Sequence, residues 1–392
     1  MKPKLIRTST VAISLDYLLK GQLNYLQKYF DVVAVSGQDE HLENVAQREK
    51  VRTVGVLMSR QINLVHDLIS LGKLYWLFRK EKPQIVHSIT PKAGLLSMTA
   101  AWLAGVPVRM HTFTGLIFPG KKGLLQKILI GMDRLLCFFA TGIYPEGQGV
   151  KNDLINYRIT RKPLAVIGNG NVNGIDVGYF HPGLFSEADQ LTYRVENGID
   201  QEDFVFVFVG RLVGDKGINE LVSAFRLVNK SFQQAKLLLV GNEEPKLDPL
   251  KPETIETIRN HPNIISTGFR TDVRLFLAVS NVLVFPSYRE GFPNVPMQAG
   301  AMGLPSIVTN INGCNEIIQD NVNGIVIPPK DTPALENAMV ELLENDEKRN
   351  RLAQNARPMI VERYEQQKLW QLIKQEYDEQ LIACPLRDSW SQ

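Results

Sequence analysis

Cysteine is scarce in this 392-residue chain: Cys137, Cys314 and Cys384 lie far apart, too few and too scattered for a disulfide framework or a zinc cluster. Histidine offers no metal either, since His41, His66, His181 and His261 lack ligand-like spacing. Long hydrophobic runs are missing. The longest uncharged apolar stretch, Ala93–Val108, has 16 residues and contains Gly and Pro, short of the roughly 20 that a spanning helix needs. The opening MKPKLIRTSTVAIS breaks its apolar residues with Lys, Arg, Ser and Thr, so no signal peptide is expected. Internal repeats and low-complexity segments are absent, and 44% hydrophobic with 22% charged residues excludes disordered, collagenous and mucin-like chains. A soluble protein of a reducing, cytoplasmic compartment is expected.

What the chain has is length for two domains, at roughly 100–200 residues each, and charge divided unevenly between them. Residues 1–170 carry 23 Lys and Arg against 11 Asp and Glu, a balance of +12, whereas residues 171–392 carry 21 against 30, a balance of −9. Such a split predicts two domains with different partners, the first facing something anionic: nucleic acid, acidic lipid headgroups or a phosphate-bearing substrate. Nucleic acid rests on charge alone, without a recognised module, and is not an expected partner.

Short apolar runs alternate with amphipathic stretches along the whole chain. Strands are predicted at Lys4–Thr10, Asp31–Ser36, Arg52–Met58, Gln84–Thr90, Val106–Phe113, Gly142–Pro145 and Leu164–Gly168, with helices at Tyr17–Gln27, Ile62–Arg79, Lys92–Ala104 and Leu124–Phe139 between them. The second half repeats the rhythm. It opens on Phe204–Gly210 (FVFVFVG), apolar on both faces as a central parallel strand requires. Strands follow at Lys236–Gly241, Asn263–Thr267, Asn281–Pro286, Ser306–Thr309 and Gly324–Ile327, with helices at Ile218–Asn229, Pro296–Met302, Asn315–Gln319 and Pro333–Glu344. Alternating units predict an α/β protein with two doubly wound, Rossmann-like domains. The Gly- and Asn-rich segment 168–183 marks the hinge, giving domains 1–170 and 171–365, and a tail helix over about 366–384 is expected to pack back on the first.

Two loops carry the chemistry. Tyr288–Val308 (YREGFPNVPMQAGAMGLPSIV) follows a buried strand and leads into a helix, the position at which open α/β sheets bind ligands. Glu290 lies on this loop and Gln298 on the first helical turns, while the amides at the helix start suit an anion. Solvated loop charges would read the same way. The second loop, Gly210-Arg211-Leu-Val-Gly-Asp-Lys216-Gly217, sets two cations between a buried strand and a helix start. Arg supplies a planar fork and Lys a compact charge for phosphate oxygens, although an ordinary surface loop looks no different and the P-loop pattern is absent.

Together, some 80 residues apart in the second half, these loops resemble the retaining nucleotide-sugar glycosyltransferases of the GT-B fold. Within that fold they resemble the family containing sucrose synthases and many bacterial capsule and lipopolysaccharide transferases. The family's G-R-x-x-x-x-K-G is matched by Gly210-Arg211…Lys216-Gly217, and its E-G-F frame by Glu290-Gly291-Phe292…Gln298-Ala299…Gly303…Pro305. Shorter echoes are NGIDVGYFHP (173–182), GFRTDV (268–273), NGCNEII (312–318), NGIVIPP (323–329) and the first-half segment 84–115. The resemblance covers nearly the whole chain.

The resemblance implies two domains facing across a cleft, no cofactor and no essential metal. Its donor would be a nucleotide diphosphate sugar, UDP ahead of GDP, and its acceptor a glycan or lipid diphosphate in bacterial surface polysaccharide synthesis. Arg211 and Lys216 would neutralise the donor diphosphate, and Glu290 would bind sugar hydroxyls. Backbone amides from Phe292 through Asn294 and Val295 would approach the sugar or phosphates, and residue 298 would hold the ribose. Phe269 and Arg270 of GFRTDV would lie by the base, and Glu316 is a further candidate for the sugar shell. His111 is the implied histidine at a first-domain strand end, with Thr112 and Thr114 as competitors; read from the residues alone, His111 and His87 are both core histidines before they are site residues.

Two departures stand out. The family's second glutamate is Gln298 here, which has one acceptor atom and no charge. Where many members carry a glycine pair in the first loop, Ser14–Gln22 has only Gly21. The first departure motivates a second function class, a non-catalytic nucleotide-sugar-binding subunit of an assembly complex. A dinucleotide oxidoreductase is a third, resting on Gly168-Asn-Gly170-Asn-Val-Asn-Gly174, one residue out of register with G-x-G-x-x-G and followed by no helical pattern. Lys121–Phe139, with Trp76–Lys80, reads either as a core-packing helix or as a basic amphipathic surface for an anionic membrane, which would place the protein peripherally on the inner face of the cell membrane.

Overall fold

The computed structural model describes residues 2–58, 63–244 and 248–384. The chain divides into two compact units. One takes the residues through Gly174 and those from Gln366 onward; the other is the continuous segment Ile175–Glu365.

The N-terminal unit holds six parallel strands, β1 (Lys4–Thr8), β2 (Asp31–Ser36), β3 (Arg52–Gly55), β4 (Ile85–Ile89), β5 (Val108–Phe113) and β6 (Gly142–Pro145), in the order β3-β2-β1-β4-β5-β6. The helices between them are α1 (Ala12–Leu18), α2 (Gln22–Leu26), α3 (Glu40–Glu49), α4 (Leu64–Glu81), α5 (Pro91–Ala104), α6 (Gly123–Phe139) and α7 (Gln148–Asn156). The helix read at Tyr17–Gln27 is two helices, because Gly21 adopts φ +82° and opens α2. The buried Glu49 carboxylate then holds the start of α2, accepting from the amides of Gly21 (2.8 Å) and Asn24 (3.0 Å). The helix expected from Ile62 has its described residues at Leu64–Glu81, with Ile62 outside them. The strand read at Leu164–Gly168 does not form. Leu164 makes one isolated bridge to Ile143, and the chain beyond it turns through Gly168 and Gly170, both at positive φ.

The second unit repeats the plan with β7 (Phe204–Val209), β8 (Ala235–Val240), β9 (Ile264–Ser266), β10 (Val282–Phe285), β11 (Ser306–Thr309) and β12 (Gly324–Ile327), ordered β12-β11-β10-β7-β8-β9 and all parallel. Its helices are α8 (Glu187–Glu196), α9 (Ile218–Ser231), α10 (Pro252–Asn260), α11 (Arg274–Ala278), α12 (Asn294–Ala301), α13 (Cys314–Ile317), α14 (Thr332–Glu344) and α15 (Asp346–Tyr364). Every residue of β7 is buried. Full burial of each Phe or Val is worth roughly 1.5–3 kcal/mol relative to exposure, which makes β7 the spine of this sheet. The tail helix α16 (Gln366–Ala383) returns to the first unit, burying Leu369, Trp370, Ile373 and Tyr377 there, and Trp370 Nε1 donates to Asn173 Oδ1 at 2.7 Å.

Both sheets have the doubly wound order in which the chain starts at the centre, builds outward, then returns to the other side of its first strand. In each the order reverses beside that first strand, between β1 and β4 and between β7 and β10. Loops leaving the carboxyl ends of those pairs splay apart and leave a crevice for ligand. The protein therefore has a two-domain α/β architecture, one doubly wound sheet in each unit.

Candidate active site

The loop that leaves β7 turns at Gly210 (φ +147°), passes through a 3-10 turn at Gly214–Lys216 and enters α9 through Gly217 (φ +72°). Its neighbour leaves β10 and enters α12. The two are packed backbone against backbone: a Cβ added at Gly217 would lie 2.1 Å from the carbonyl oxygen of Pro286. Asp215 O accepts from the amide of Tyr288 (2.8 Å), and the amide of Asp215 donates to the Asp248 carboxylate (2.5 Å). A third loop, after β11, closes on the second, since a Cβ at Gly313 would lie 2.5 Å from Gly291 O. Only glycine satisfies these contacts, so three strand ends present one continuous backbone platform.

Lys216 and Glu290 meet on that platform. Lys216 Nζ donates to Glu290 Oε1, which also accepts from Ser287 Oγ at 2.7 Å; Ser287 is held in turn by Thr309 Oγ1, which donates to its carbonyl. The two charged side chains are only 16% and 15% exposed, so their attraction is screened less than that of a surface pair. Glu290 Oε2 receives no hydrogen bond from the described residues, and an ammonium has two further N–H groups beyond the one given to Glu290. The site thus offers an acceptor for hydroxyl groups beside donors for an anion. Burial pushes the buried Cys314 thiol well above its ordinary range, which makes it an inert part of the wall. Burial and the Glu220 carboxylate likewise raise the Tyr288 phenol.

Arg211 lies on the same loop but pairs elsewhere, its Nη1 donating to Glu244 Oε2 at 2.8 Å beyond β8. The loop is therefore anchored by carboxylates from both neighbouring strands of β7, Glu244 and Asp248 after β8 and Glu290 after β10. Phe269 is 60% exposed, with its amide donating to Asn242 Oδ1 at 2.8 Å, and Arg270 lies over the Phe276 ring, 5.9 Å from its centroid. Phe292 is buried edge-on against Tyr364, so this residue faces the crevice through its backbone alone. Asn294 and Val295 open α12 with Gln298 one turn on, all half-buried, and Pro293 at the cap carries no capping side chain. The helix start keeps the polarity that favours anions. Glu316 turns back to the start of its own helix, accepting from Gly313 N at 3.3 Å.

His111 belongs to the N-terminal unit and is wholly buried. Ser88 Oγ is 2.8 Å from its Nδ1, the Phe113 ring stands edge-on at 4.5 Å, and α5 crosses the imidazole so closely that a Cβ at Gly94 would lie 2.5 Å from Cε1. Burial pushes its pKa down to about 3, so the imidazole is neutral near pH 7. Thr112 turns to the other face of the sheet, where its Oγ1 meets His87 Nε2 at 2.8 Å; Thr114, just past the strand end, is half-buried. Sequence reasoning missed Ser287, Thr309 and Asp248. Ser287 lies just past a buried strand and three residues before Glu290, the one spacing that would have drawn attention to it.

Residues 189–359 match the family of glycosyl transferases group 1, and residues 22–171 match glycosyltransferase family 4. Over 377 residues the chain is 30% identical to the capsular polysaccharide biosynthesis glycosyltransferase CapM of Staphylococcus aureus, covering 96% of this chain and 97% of that one. The chain belongs to the GT-B glycosyltransferases. This glycosyltransferase is also 29% identical, over 83% of each chain, to the UDP-Gal:alpha-D-GlcNAc-diphosphoundecaprenol alpha-1,3-galactosyltransferase of Escherichia coli. Its fold matches HepE of Anabaena, solved in complex with UDP-glucose, with a TM-score of 0.79 at 18% identity over 96% of this chain and 99% of that one. No group of His, Cys, Asp and Glu among the glycosyltransferase's described residues is arranged to hold a metal ion.

Proposed function

We propose that this glycosyltransferase moves a hexosyl or N-acetylhexosaminyl unit from a UDP-sugar to a lipid-diphosphate-linked glycan, with retention of configuration, during assembly of a bacterial surface polysaccharide. The observation that carries the proposal is the Lys216–Glu290 pair, buttressed by Ser287 where the strand order of the second sheet reverses. The Escherichia coli relative, a galactosyltransferase from UDP-Gal to a diphosphoundecaprenol-linked acceptor, supports the choice of donor and acceptor. In this reading the reaction takes place on the inner face of the cell membrane.

In this reading Glu290 orients the sugar through its hydroxyl groups, while Lys216, Arg211 and the amides opening α12 hold the diphosphate. The bond between the anomeric carbon and the phosphate oxygen breaks, and its electron pair stays on the phosphate. Preorganised cations stabilise the charge that develops there, an effect worth roughly 2.7–4 kcal/mol per well-placed donor. The acceptor hydroxyl attacks the anomeric carbon on the face the phosphate leaves, and its proton passes to the departing phosphate oxygen. The products are UDP and a glycoside. Gln298 accepts from the ribose, and Phe269 and Arg270 border the base; His111 takes no part.

The test is product stereochemistry. Incubation with a panel of nucleotide sugars and a lipid-diphosphate glycan is expected to consume a UDP-sugar and to give a product whose anomeric NMR coupling matches that of the donor. An inverted centre overturns the mechanism. Donor binding with neither hydrolysis nor transfer would favour the non-catalytic subunit.

A further inference from the structure

Arg7, next to last in β1, is only 2% exposed. Register sets it beside His87 of β4, and alternation along β4, β5 and β6 brings Thr112 and Tyr144 to the same face of the sheet, the face that α16 covers. A guanidinium cannot shed its proton, and a buried charge is ordinarily paired with an opposite one. Arg7 forms no ion pair with any described carboxylate. Its Nη1 donates to His87 Nδ1 (2.6 Å) and to the hydroxyl of Tyr377, and both partners are uncharged. Burial, then the Arg7 charge, holds the imidazole well below its ordinary range, and burial raises the phenol. Arg7 Nε is buried and has no partner among the described residues.

Against this group lies a cavity of about 20 Å3, enough for one water molecule, which needs roughly 10–15 Å3. Thr112, Asn171 and Glu146 share its wall with Arg7, and Ile373 of α16 lines it from above. Glu146 directly follows β6 and is 5% exposed. His87 Nδ1 accepts from Arg7, so the imidazole proton is on Nε2, which donates to Thr112 Oγ1 at 2.8 Å. The threonine hydrogen is then left to donate into the cavity. The wall thus sets two donors, Arg7 and Thr112, against one carboxylate. An anion there would meet Glu146 as a like charge, and a cation would meet Arg7. Water accepts from the first two and donates to the third, making the three hydrogen bonds usual for a buried molecule.

We propose that the cavity beneath α16 is a binding site for one ordered water molecule, which joins Arg7 to Glu146 as a solvent-bridged ion pair. The bridge ties the central strand β1 to the edge strand β6 across β4 and β5, and it supplies the buried arginine with the opposite charge that direct contacts do not. All its members belong to the N-terminal unit, so it stands apart from the sugar-transfer reading of the other one.

The full-length protein is crystallised, and one set of crystals is soaked in sodium bromide. The expected result is a single density peak within hydrogen-bond reach of Arg7 Nε and the Glu146 carboxylate, refining as water and giving no bromine anomalous signal. An anomalous peak at that position makes the cavity an anion site and overturns the proposal, as does a cavity without density. In solution, Arg7→Met and Glu146→Gln are each expected to lower Tm by roughly 6–10 °C, because each leaves a buried charge without its counterpart. The double variant is expected to lose less than the two singles combined; additive losses mean that the charges do not interact and overturn the bridge. The crystals decide on the unaltered protein, so a variant that fails to fold leaves the test intact.

Discussion

Lys216 and Glu290, 74 positions apart in the chain, form an ion pair across the two loops that flank the strand-order reversal of the second sheet. One residue is suited to phosphate and the other to sugar hydroxyls, and each holds the other in place. Replacing Glu290 by Gln preserves the hydrogen bond from Ser287 and removes the charge. Transfer by Glu290→Gln is expected to fall by about 10²–10³ in kcat with little change in Tm. Lys216→Met should instead weaken UDP binding, and a double-mutant cycle should return a coupling of about 1–3 kcal/mol for transfer. Additive losses, measured by steady-state kinetics of the four proteins, would contradict the pairing.

Gln298 gives a test in the opposite direction. If Gln298 holds the ribose as proposed, restoring a carboxylate by Gln298→Glu turns that neutral hydrogen bond into a charge-assisted one, a gain of about 1 kcal/mol, or roughly fivefold in Kd for UDP. Calorimetric titration reads it directly. Unchanged affinity would mean that residue 298 does not touch the ribose.

Gly241 supports the platform from below. At φ +154° its added Cβ would lie 1.8 Å from the carbonyl oxygen of Gly210, the residue before Arg211. Gly241→Ala is expected to cost about 2–4 kcal/mol in urea unfolding and to weaken UDP binding, because relief of the clash displaces the loop proposed to hold the diphosphate. Gly105→Ala, where a Cβ meets nothing within 4 Å at φ +80°, is the control for backbone strain alone.

Asp133 sets a pH dependence. Burial pushes its carboxyl up to about 7 from the usual 3.8. Between these values the folded chain keeps a proton that the unfolded chain releases, so stability falls as pH rises through the window and levels off above it. Asp133→Asn removes the slope and is expected to raise stability near pH 8 by as much as about 4 kcal/mol, less whatever relaxation supplies. Urea unfolding at pH 5 and pH 8 measures the difference; equal gains at both would assign the effect to packing.

The strands were the most legible part of the fold. Asp31–Ser36, Gly142–Pro145, Ser306–Thr309 and Gly324–Ile327 have the same bounds in sequence and structure, because a strand buried on both faces is a bare apolar run ended by turn residues. Leu164–Gly168 has the same look, but no neighbour continues the pairing past Leu164, and pairing is invisible in one segment. Helix α3 (EHLENVAQRE) escaped notice because it buries only Leu42, Val45 and Glu49. At the site, Arg211, Lys216 and Glu290 were legible from loop chemistry and resemblance. Ser287 was not, since a serine at a strand end earns its role from the side chain folded over it. His111 shows the same limit: the strand could be read from its residues, but not which face the imidazole takes.

The return of α16 to the N-terminal unit has a consequence for synthesis. The stretch 175–365 is uninterrupted, so it can complete its own core once it clears the ribosome. The earlier-made unit still lacks Leu369, Trp370, Ile373 and Tyr377 at that moment. The half of the protein translated first is the half that finishes last, and until then Arg7 and His87 await the phenol of Tyr377 that seals them in.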